Sequence, residues 1–250
     1  MNGNFTLASA HQSVRDRIRL ACEAAGRSPT EVALLAVSKT RTADEVAALA
    51  ACGQHAMGEN YLQEALDKQA LLGNTPLEWH FIGPIQSNKT RKIAEHFQWV
   101  HSVENLRIAR RLSDQRPDPL GPLNICLQVN VSGEDSKSGC APDEAIGLAR
   151  EMAALPRLRL RGLMAIPEPT EDVNLQRRRF GMLRELHAQI RQELARMDET
   201  EGSKARATFD TLSMGMSDDL EAAIAEGSTM VRVGTALFGP RPRKAASETP

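Results

Sequence analysis

Eight short apolar runs recur along this chain, separated by segments with a helical pattern. Such runs do not by themselves distinguish a strand from a helix, so the segments between them decide the assignment. Repeated strand-then-helix units predict a parallel sheet with helices outside it. Eight units in 250 residues predict a single closed (β/α)8 TIM barrel. The predicted strands are Ala33–Ser38, His55–Gly58, Trp79–Gly83, Gln98–Val103, Leu123–Val131, Leu160–Ile166, Thr211–Met214 and Val231–Gly234.

Helix start and stop signals support this division. Thr42 and Glu45 form a capping box at the start of one predicted helix, and Gly53 suits the position just past its end. An extra helix, about Leu7 to Ala25, precedes the first strand. An open doubly wound sheet is the alternative, but no GxGxxG turn follows the first strand. The other predicted helices are Asn60–Leu72, Ser87–Phe97, Glu104–Ser113, Pro142–Leu155, Val173 to about Met197, and Ser217–Glu226. We expect one barrel domain over residues 1–240 and a flexible tail over 241–250.

The composition is that of an ordinary soluble globular protein, with 41% hydrophobic and 25% charged residues. A net charge of −1 and the lack of a basic block argue against a nucleic-acid partner. The four cysteines have no metal-site spacing and suit apolar fillers in a reducing compartment. No run reaches the roughly 18 apolar residues of a membrane span. We therefore expect a cytoplasmic monomer without membrane contact.

Lys39 directly follows the first predicted strand, where a barrel would place it at the mouth that carries active sites. A partly desolvated lysine has a lowered pKa, and its neutral amine can attack an aldehyde to form a Schiff base. A solvated lysine at a turn is the alternative interpretation, and position alone does not decide between them.

A second group of residues follows strands seven and eight, whose loops often bind phosphate in such barrels. Backbone N–H groups at Gly234 and at a helix start favour anions, and the hydroxyls of Ser217 and Thr235 add donors. Plain turn and capping roles are the alternative. An amine and an anion-binding rim at one mouth suit a phosphorylated aldehyde cofactor, for which pyridoxal phosphate is the candidate.

Arg232 lies on the same face of the eighth strand as Gly234, and a barrel-facing arginine needs a partner or a ligand. One role is donation to the pyridine nitrogen of the cofactor, which would leave that ring a weak electron sink. The alternative is an ion pair with a carboxylate such as Asp210. His80 and His101 are expected to be satisfied core residues rather than metal ligands.

Met214 and Met216 are expected either to pack against a flat ring or to fill the core. Lys137 lies in a polar loop and is expected to be a surface residue, although a second cofactor site there stays open. These two methionines and this lysine are weaker candidates than Lys39, because their residue types are common in core and surface positions.

Motifs along the whole chain resemble those of the YggS/PROSC family of pyridoxal phosphate homeostasis proteins. The resemblance covers about residues 7–240, and its motifs occur in the family's order. They are residues 36–40 (AVSKT), 58–61 (GENY), 79–89 (WHFIGPIQSNK), 129–133 (VNVSG), 162–167 (GLMAIP), 213–219 (SMGMSDD) and 231–235 (VRVGT).

This resemblance implies a barrel like the N-terminal domain of alanine racemase, with pyridoxal phosphate bound as a Schiff base. It implies that Lys39 carries the aldehyde and that Arg232 faces the pyridine nitrogen. Phosphate would be held by Gly234, Thr235 and Ser217, and Asn60 would lie beside the ring. The residues expected to contact the cofactor are Lys39, Asn60, Met214, Ser217, Arg232, Gly234 and Thr235. The family implies buffering and delivery of the cofactor, with pyridoxal-phosphate-dependent apoenzymes as recipients.

The sequence also bears on whether this chain is an enzyme. A racemase needs acid–base groups on both faces of the substrate α-carbon. The chain ends soon after its eighth strand, so a second domain supplying one of them is not expected. Its only tyrosine, Tyr61, is expected to be an amphipathic packing residue. We expect a non-catalytic carrier, with a single-domain racemase of low activity as the alternative.

Overall fold

The computed structural model describes residues 6–133, 138–197 and 208–240. Eight parallel strands pair in chain order, and β8 pairs with β1, so the sheet closes into a barrel. The predicted (β/α)8 fold is confirmed. The strands are β1 (Ala33–Val37), β2 (Ala56–Glu59), β3 (Glu78–Phe81), β4 (Trp99–Val103), β5 (Leu123–Gln128), β6 (Leu158–Met164), β7 (Thr211–Ser213) and β8 (Met230–Val233).

Helices lie outside the sheet and follow its strands. In the described part of the chain they are α1 (Leu7–Ala24), α2 (Ala43–Ala51), α3 (Leu62–Leu71), α4 (Thr90–His96), α5 (Leu106–Gln115), α6 (Ala145–Ala153), α7 (Val173–Arg196), α8 (Leu220–Ala225) and α9 (Thr235–Phe238). Short 3-10 helices span Pro29–Glu31, Ser87–Lys89 and Asp118–Leu120. None of these helices is long and apolar enough to cross a membrane.

The structure confirms several of the helix starts and ends that local sequence signals predict. The extra helix is confirmed as α1, and the Thr42–Glu45 capping box begins α2 with both of its hydrogen bonds present. Gly53 follows α2 with a φ of 88°, as a residue past a helix end commonly does. The predicted start of a helix at Pro142 is wrong, because α6 begins at Ala145 after a turn.

The predicted fifth strand was too long. β5 ends at Gln128, and Val129 pairs only through an isolated bridge with Cys140, because the chain turns away there. Cys22, Cys126 and Cys140 are buried and none of the four cysteines forms a disulfide, which confirms the filler interpretation for these three. Cys52 is half-buried. The expected tail over 241–250 lies outside the described residues.

Two kinds of core hold the barrel together. The larger lies between the sheet and the helices and includes Leu34, Ala36, Val100 and Ile125. Inside the barrel, the described apolar side chains form small clusters. One contains Leu35, Ile82 and Met230, and the other contains Trp99, Cys126 and Met164. Polar side chains occupy much of the remaining interior, including buried His80, His101, Ser213 and Arg232.

Gly162 permits a close approach between two strands. The register between β5 and β6 shifts at this point, where Ile125 pairs with Leu160 but Cys126 pairs with Gly162. A Cβ atom on Gly162 would lie 1.8 Å from the carbonyl oxygen of Thr211 on β7. Backbone cannot yield as a flexible side chain does, so only glycine fits between these strands.

We expect Gly162→Ala to destabilise the protein by about 3 kcal/mol or more, because an added methyl group in a packed site forces the backbone apart. Chemical denaturation checks this expectation. The matched control is Gly147→Ala in α6, where a Cβ atom meets nothing within 4 Å and a gain of about 0.5–1 kcal/mol is expected. Equal denaturation midpoints for the wild type and Gly162→Ala would contradict the account.

Candidate functional site

The pairing of β1 with β8 brings the amine and the glycine turn to the same mouth. Leu35 pairs with Arg232 in the strand register. Further along, a Cβ atom on Gly234 would lie 3.3 Å from the carbonyl oxygen of Val37. Lys39 comes two residues after Val37 and is half-buried. The predicted convergence of residue 39 with residues 232–234 at the C-terminal end of the barrel is confirmed.

A tight turn carries Lys39. The Arg41 amide donates to the Ser38 carbonyl oxygen at 3.1 Å, so Lys39 and Thr40 are the central residues of the turn. Thr40 has a φ of 66°, in the left-handed region that β-branched residues rarely adopt. Its amide donates to Glu64 Oε1 at 2.6 Å. The surrounding contacts therefore hold a strained backbone in the conformation that presents the lysine.

A buried ionic cluster lies beneath this turn. Lys68 Nζ donates to the Ser38 carbonyl oxygen at 2.7 Å, to Glu59 Oε1 at 2.7 Å and to Glu64 Oε1 at 2.6 Å. The Ser38 hydroxyl donates to the same Glu59 oxygen at 2.6 Å. Glu59 has no accessible surface and Lys68 is 4% exposed. Burial raises the pKa of the Glu59 carboxyl, although the Lys68 charge opposes that rise.

Sequence reasoning missed Lys68. It lies on α3, nine residues after Glu59, and neither spacing nor residue type marks it as buried. A Glu–Lys spacing of four residues, as at Glu64 and Lys68, is typical of a surface pair on a helix. Glu59 ends β2 at the mouth, but its carboxylate points to the helix side, where it accepts from Lys68 and anchors the turn of Lys39.

Asn60 lies at the same mouth, and its side chain has an unused acceptor. Its Oδ1 atom is buried and has no hydrogen-bond partner within the described residues. Gly83 sets the position of this residue, because a Cβ atom there would lie 2.2 Å from the Asn60 carbonyl oxygen. A buried amide oxygen without a partner is unfavourable unless a ligand donates to it. This observation fits a ligand with a donor group at this position.

Arg232 is buried inside the barrel with 3% of its surface exposed. Its guanidinium donates to the carbonyl oxygen of Ser213 at 2.5 Å, to Ser213 Oγ at 2.8 Å and to the carbonyl oxygen of Ala165 at 2.8 Å. The alternative pairing with Asp210 is wrong, because Asp210 pairs with Arg161 at 2.8 Å. Burial lowers the pKa of Arg232 to about 10, which still leaves it protonated at neutral pH.

The expected anion-binding residues lie in two loops. Gly234 is half-buried, and Thr235 is exposed as the first residue of α9. Ser217 is half-buried, and its carbonyl oxygen accepts from Arg17 at 2.9 Å. The predicted helix start at Ser217 is wrong: α8 begins at Leu220, because residues 217–219 form a turn. The phosphate contacts of Gly234, Thr235 and Ser217 stay predictions.

Met214 is placed differently from the other candidates. It has no accessible surface and packs within the large core between sheet and helices. The preceding Ser213 points into the barrel, so alternation turns Met214 outward. The geometry supports the core-filling alternative for Met214, since a buried side chain offers no surface to a ligand. Met216 is half-buried.

Three further expectations have different outcomes. His80 and His101 have no accessible surface, and each makes two hydrogen bonds, which confirms that they are satisfied core residues. Tyr61 is 55% exposed and precedes α3, so its predicted packing role is wrong. The helix begins at Leu62, two residues later than the predicted start at Asn60. Lys137 lies outside the described residues.

Together these residues offer four groups: the amine of Lys39, the buried cation of Arg232, the unused amide oxygen of Asn60 and the backbone N–H groups of the Gly234 turn. That set suits a small ligand with a carbonyl carbon, a ring acceptor and an anionic group, because each feature has a complementary partner. Among the described residues, no group of three histidine, cysteine or acidic side chains is placed to hold a metal ion.

Comparison with known proteins shows similarity over almost the whole chain. Residues 11–242 match the family model of the alanine racemase N-terminal domain. The chain is 61% identical over 236 residues to the pyridoxal phosphate homeostasis protein of Pseudomonas aeruginosa, covering 94% of this chain and 96% of that protein. It is 53% identical over 232 residues to the Escherichia coli K12 protein of the same name, with 91% and 94% covered.

A solved structure of PipY from Synechococcus elongatus PCC7942, with PLP bound, matches with a TM-score of 0.78 and 34% sequence identity. The match covers 94% of this chain and the whole of that one. The similarity thus extends over the complete barrel rather than over a shared motif.

We expect Lys68→Met to destabilise the protein by about 3 kcal/mol at neutral pH, because it leaves the Glu59 charge buried without its partner. Without Lys68, the pKa of Glu59 rises further. A carboxyl with a raised folded-state pKa favours folding below its unfolded pKa of about 4.3, and that contribution is lost as pH rises. The loss in Lys68→Met should therefore be small near pH 4 and grow toward neutrality in urea denaturation.

The matched control is Lys92→Met, since Lys92 is exposed on α4 and a surface substitution there should change stability by less than about 0.5 kcal/mol. Adding Glu59→Gln to Lys68→Met should restore part of the loss by removing the buried charge. A destabilisation of Lys68→Met that does not vary with pH would rule out an uncompensated Glu59 as its cause.

Proposed function

Because this chain belongs to the family of the alanine racemase N-terminal domain, and within it to the YggS/PROSC pyridoxal phosphate homeostasis proteins, we propose that it binds pyridoxal phosphate, buffers it and hands it on. The observation that carries this proposal is the convergence of Lys39 with the Gly234 turn on neighbouring strands. An amine and an anion-binding turn are the two groups that a phosphorylated aldehyde requires.

Lys39 would be the covalent attachment point. When bound, the cofactor supplies an aldehyde, to which an uncharged amine adds reversibly. The strained turn at Thr40 and the Lys68 cluster hold the lysine backbone at the mouth. A pre-positioned amine loses less conformational freedom when it reacts, which favours loading at low cofactor concentration.

The phosphate would lie against Gly234, Thr235 and Ser217. The first N–H groups of a helix have no partner within that helix, and glycine lets an anion approach the backbone closely. The two hydroxyl groups are accessible and can donate as well. Asn60 Oδ1, buried without a partner in the part of the chain that the structure describes, would accept from a donor on the ring.

Arg232 would face the pyridine nitrogen. A guanidinium can only donate, so it stabilises an unprotonated ring nitrogen. An unprotonated pyridine withdraws electrons weakly and gives little support to carbanion chemistry. This choice of residue favours holding the cofactor over using it, which supports a carrier.

The part of the chain that the structure describes offers no obvious second acid–base group, which supports the same conclusion. A racemase needs one group on each face of the substrate. The chain's only tyrosine is 55% exposed and precedes α3, and His80 and His101 are buried within the barrel. The proposal includes action as a cytoplasmic monomer on pyridoxal-phosphate-dependent apoenzymes.

We expect purified wild-type protein to take up pyridoxal phosphate with a visible absorption band, and borohydride reduction to fix the added mass on Lys39. Lys39→Ala should lose both the band and the fixed mass, because no amine then meets the aldehyde at this position. Peptide mass spectrometry identifies the modified residue. Lys92→Ala, which removes an exposed lysine, is the control and should behave as wild type. Mass fixed on another lysine with residue 39 unmodified would refute the assignment.

A carrier should release its cofactor but should not exchange substrate protons. We expect loaded protein to reactivate a pyridoxal-phosphate-dependent apoenzyme, and L-alanine incubated with it in D2O to gain no deuterium above the cofactor-only blank. Enzyme recovery and proton NMR measure the two outcomes. Deuterium exchange accompanied by formation of D-alanine, with both lost in Lys39→Ala, would instead establish the single-domain racemase. The chain's alanine-racemase-like fold makes that the second candidate.

A further inference from the structure

A continuous chain of polar side chains runs through the barrel interior from its N-terminal end to Arg232. Glu78, the first residue of β3, lies 3.2 Å from His80 Nε2. His80 Nδ1 lies 2.9 Å from His101 Nε2, and His101 Nδ1 lies 2.8 Å from Ser213 Oγ. Ser213 Oγ accepts from Arg232 at 2.8 Å. This series of hydrogen-bonded side chains ends at Arg232, beside the proposed cofactor site.

The three interior members of this series are shielded from solvent. His80, His101 and Ser213 have no accessible surface. The His80 ring stacks on Trp99 with centroids 5.4 Å apart. In such surroundings an unsatisfied polar group is unfavourable, so each member must find its partner inside the chain. The interior polar residues therefore act as one connected unit.

The residues at the two ends of this series, Glu78 and Arg232, fix the direction of every hydrogen bond between them. An ionised carboxylate can only accept and a guanidinium can only donate. Glu78 therefore requires a proton on His80 Nε2, which makes Nδ1 of a neutral His80 an acceptor. His101 then donates from Nε2, and its Nδ1 accepts the Ser213 hydroxyl proton. The Ser213 oxygen is left with its lone pairs toward Arg232.

The ionisation of these groups agrees with that arrangement. Burial lowers the pKa of His80, and it lowers the pKa of His101 further, with help from the neighbouring His80 and Arg232 charges. The hydrogen bond from His80 lowers the pKa of the Glu78 carboxyl. At neutral pH both imidazoles are therefore neutral and Glu78 is ionised, so a single proton arrangement satisfies all five residues.

This arrangement explains how a buried arginine is kept without an ion pair among the described residues. Among the described residues, Arg232 donates to oxygen atoms of Ser213 and Ala165. A serine hydroxyl accepts well only when its own proton is directed elsewhere, and His101 takes that proton. We propose that Ser213 and His101, held in this state by His80 and Glu78, are positioning residues that fix the guanidinium of Arg232 toward the cofactor nitrogen.

The link to the cofactor nitrogen rests on the proposed function, but the positioning of Arg232 can be measured without cofactor. In cofactor-free protein, nitrogen NMR should find the protons of His80 and His101 on Nε2 and not on Nδ1. The guanidinium protons of Arg232 should exchange slowly with solvent. Ser213→Ala and Glu78→Met should each speed that exchange at least about tenfold, because each removes a required acceptor.

With pyridoxal phosphate, a matched pair of substitutions at Glu78 tests the effect across the barrel. Glu78→Gln keeps one oxygen that can accept from His80 but loses the acceptor for Trp99 Nε1, which donates to the other Glu78 oxygen at 2.9 Å, whereas Glu78→Met removes both acceptors. Glu78→Met should weaken binding about tenfold, the effect of losing a hydrogen bond to a charged group, and should shift the absorption of the bound cofactor. Glu78→Gln should change both quantities less than Glu78→Met does. Asp114→Met, which removes an exposed carboxylate on α5, is the control and should change neither quantity.

A proton on Nδ1 of His101 would overturn the inference, and so would Arg232 exchange that is unchanged in Glu78→Met. Equal cofactor spectra and affinities for Glu78→Met and Glu78→Gln would also overturn it. If wild-type protein fails to bind pyridoxal phosphate, the proposed function fails, and the exchange measurements still decide whether the chain positions Arg232. Glu78 is partly exposed, so its variants remain informative if Ser213→Ala does not fold.

Discussion

The parallel pairing of β1 with β8 is the interaction on which the site depends. It closes the sheet and places Leu35 opposite Arg232, although almost 200 residues separate them. The Lys39 turn and the Gly234 turn lie at one mouth because both strands run in the same direction. An antiparallel or shifted pairing would keep the same residues and place the amine away from the anion-binding turn.

The buried charges around this mouth are stabilised in two ways. On the helix side, Lys68 meets Glu59 and Glu64 and compensates for the desolvation of a carboxylate with no accessible surface. Inside the barrel, Arg232 is stabilised by carbonyl and hydroxyl dipoles instead. No carboxylate among the described residues is hydrogen-bonded to the guanidinium, so its donors stay available to a ligand. The first arrangement holds the backbone of Lys39, and the second prepares the opposite side of the site.

Much of the fold could be predicted because its signals are local. The eight apolar runs, the Thr42–Glu45 capping box and the glycine at 53 each reflect the physics of a few consecutive residues. The errors occur where neighbouring elements decide. Tyr61 is exposed because α3 begins after it, and the helix predicted from Ser217 begins only at Leu220, after a turn. Met214 is turned outward by the alternation that points Ser213 inward.

The sequence by itself determined the number and order of strand-then-helix units, and therefore the candidates at their ends: Lys39, Arg232 and Gly234. It did so because hydrophobic periodicity and turn chemistry depend on residues that are adjacent in the sequence. Only the tertiary structure decided that Lys68 supports the Lys39 turn and that Glu78 connects with Arg232 through His80, His101 and Ser213. These contacts join separate strands and helices, and their side-chain directions follow from closure, register and exclusion of water, which local sequence does not encode.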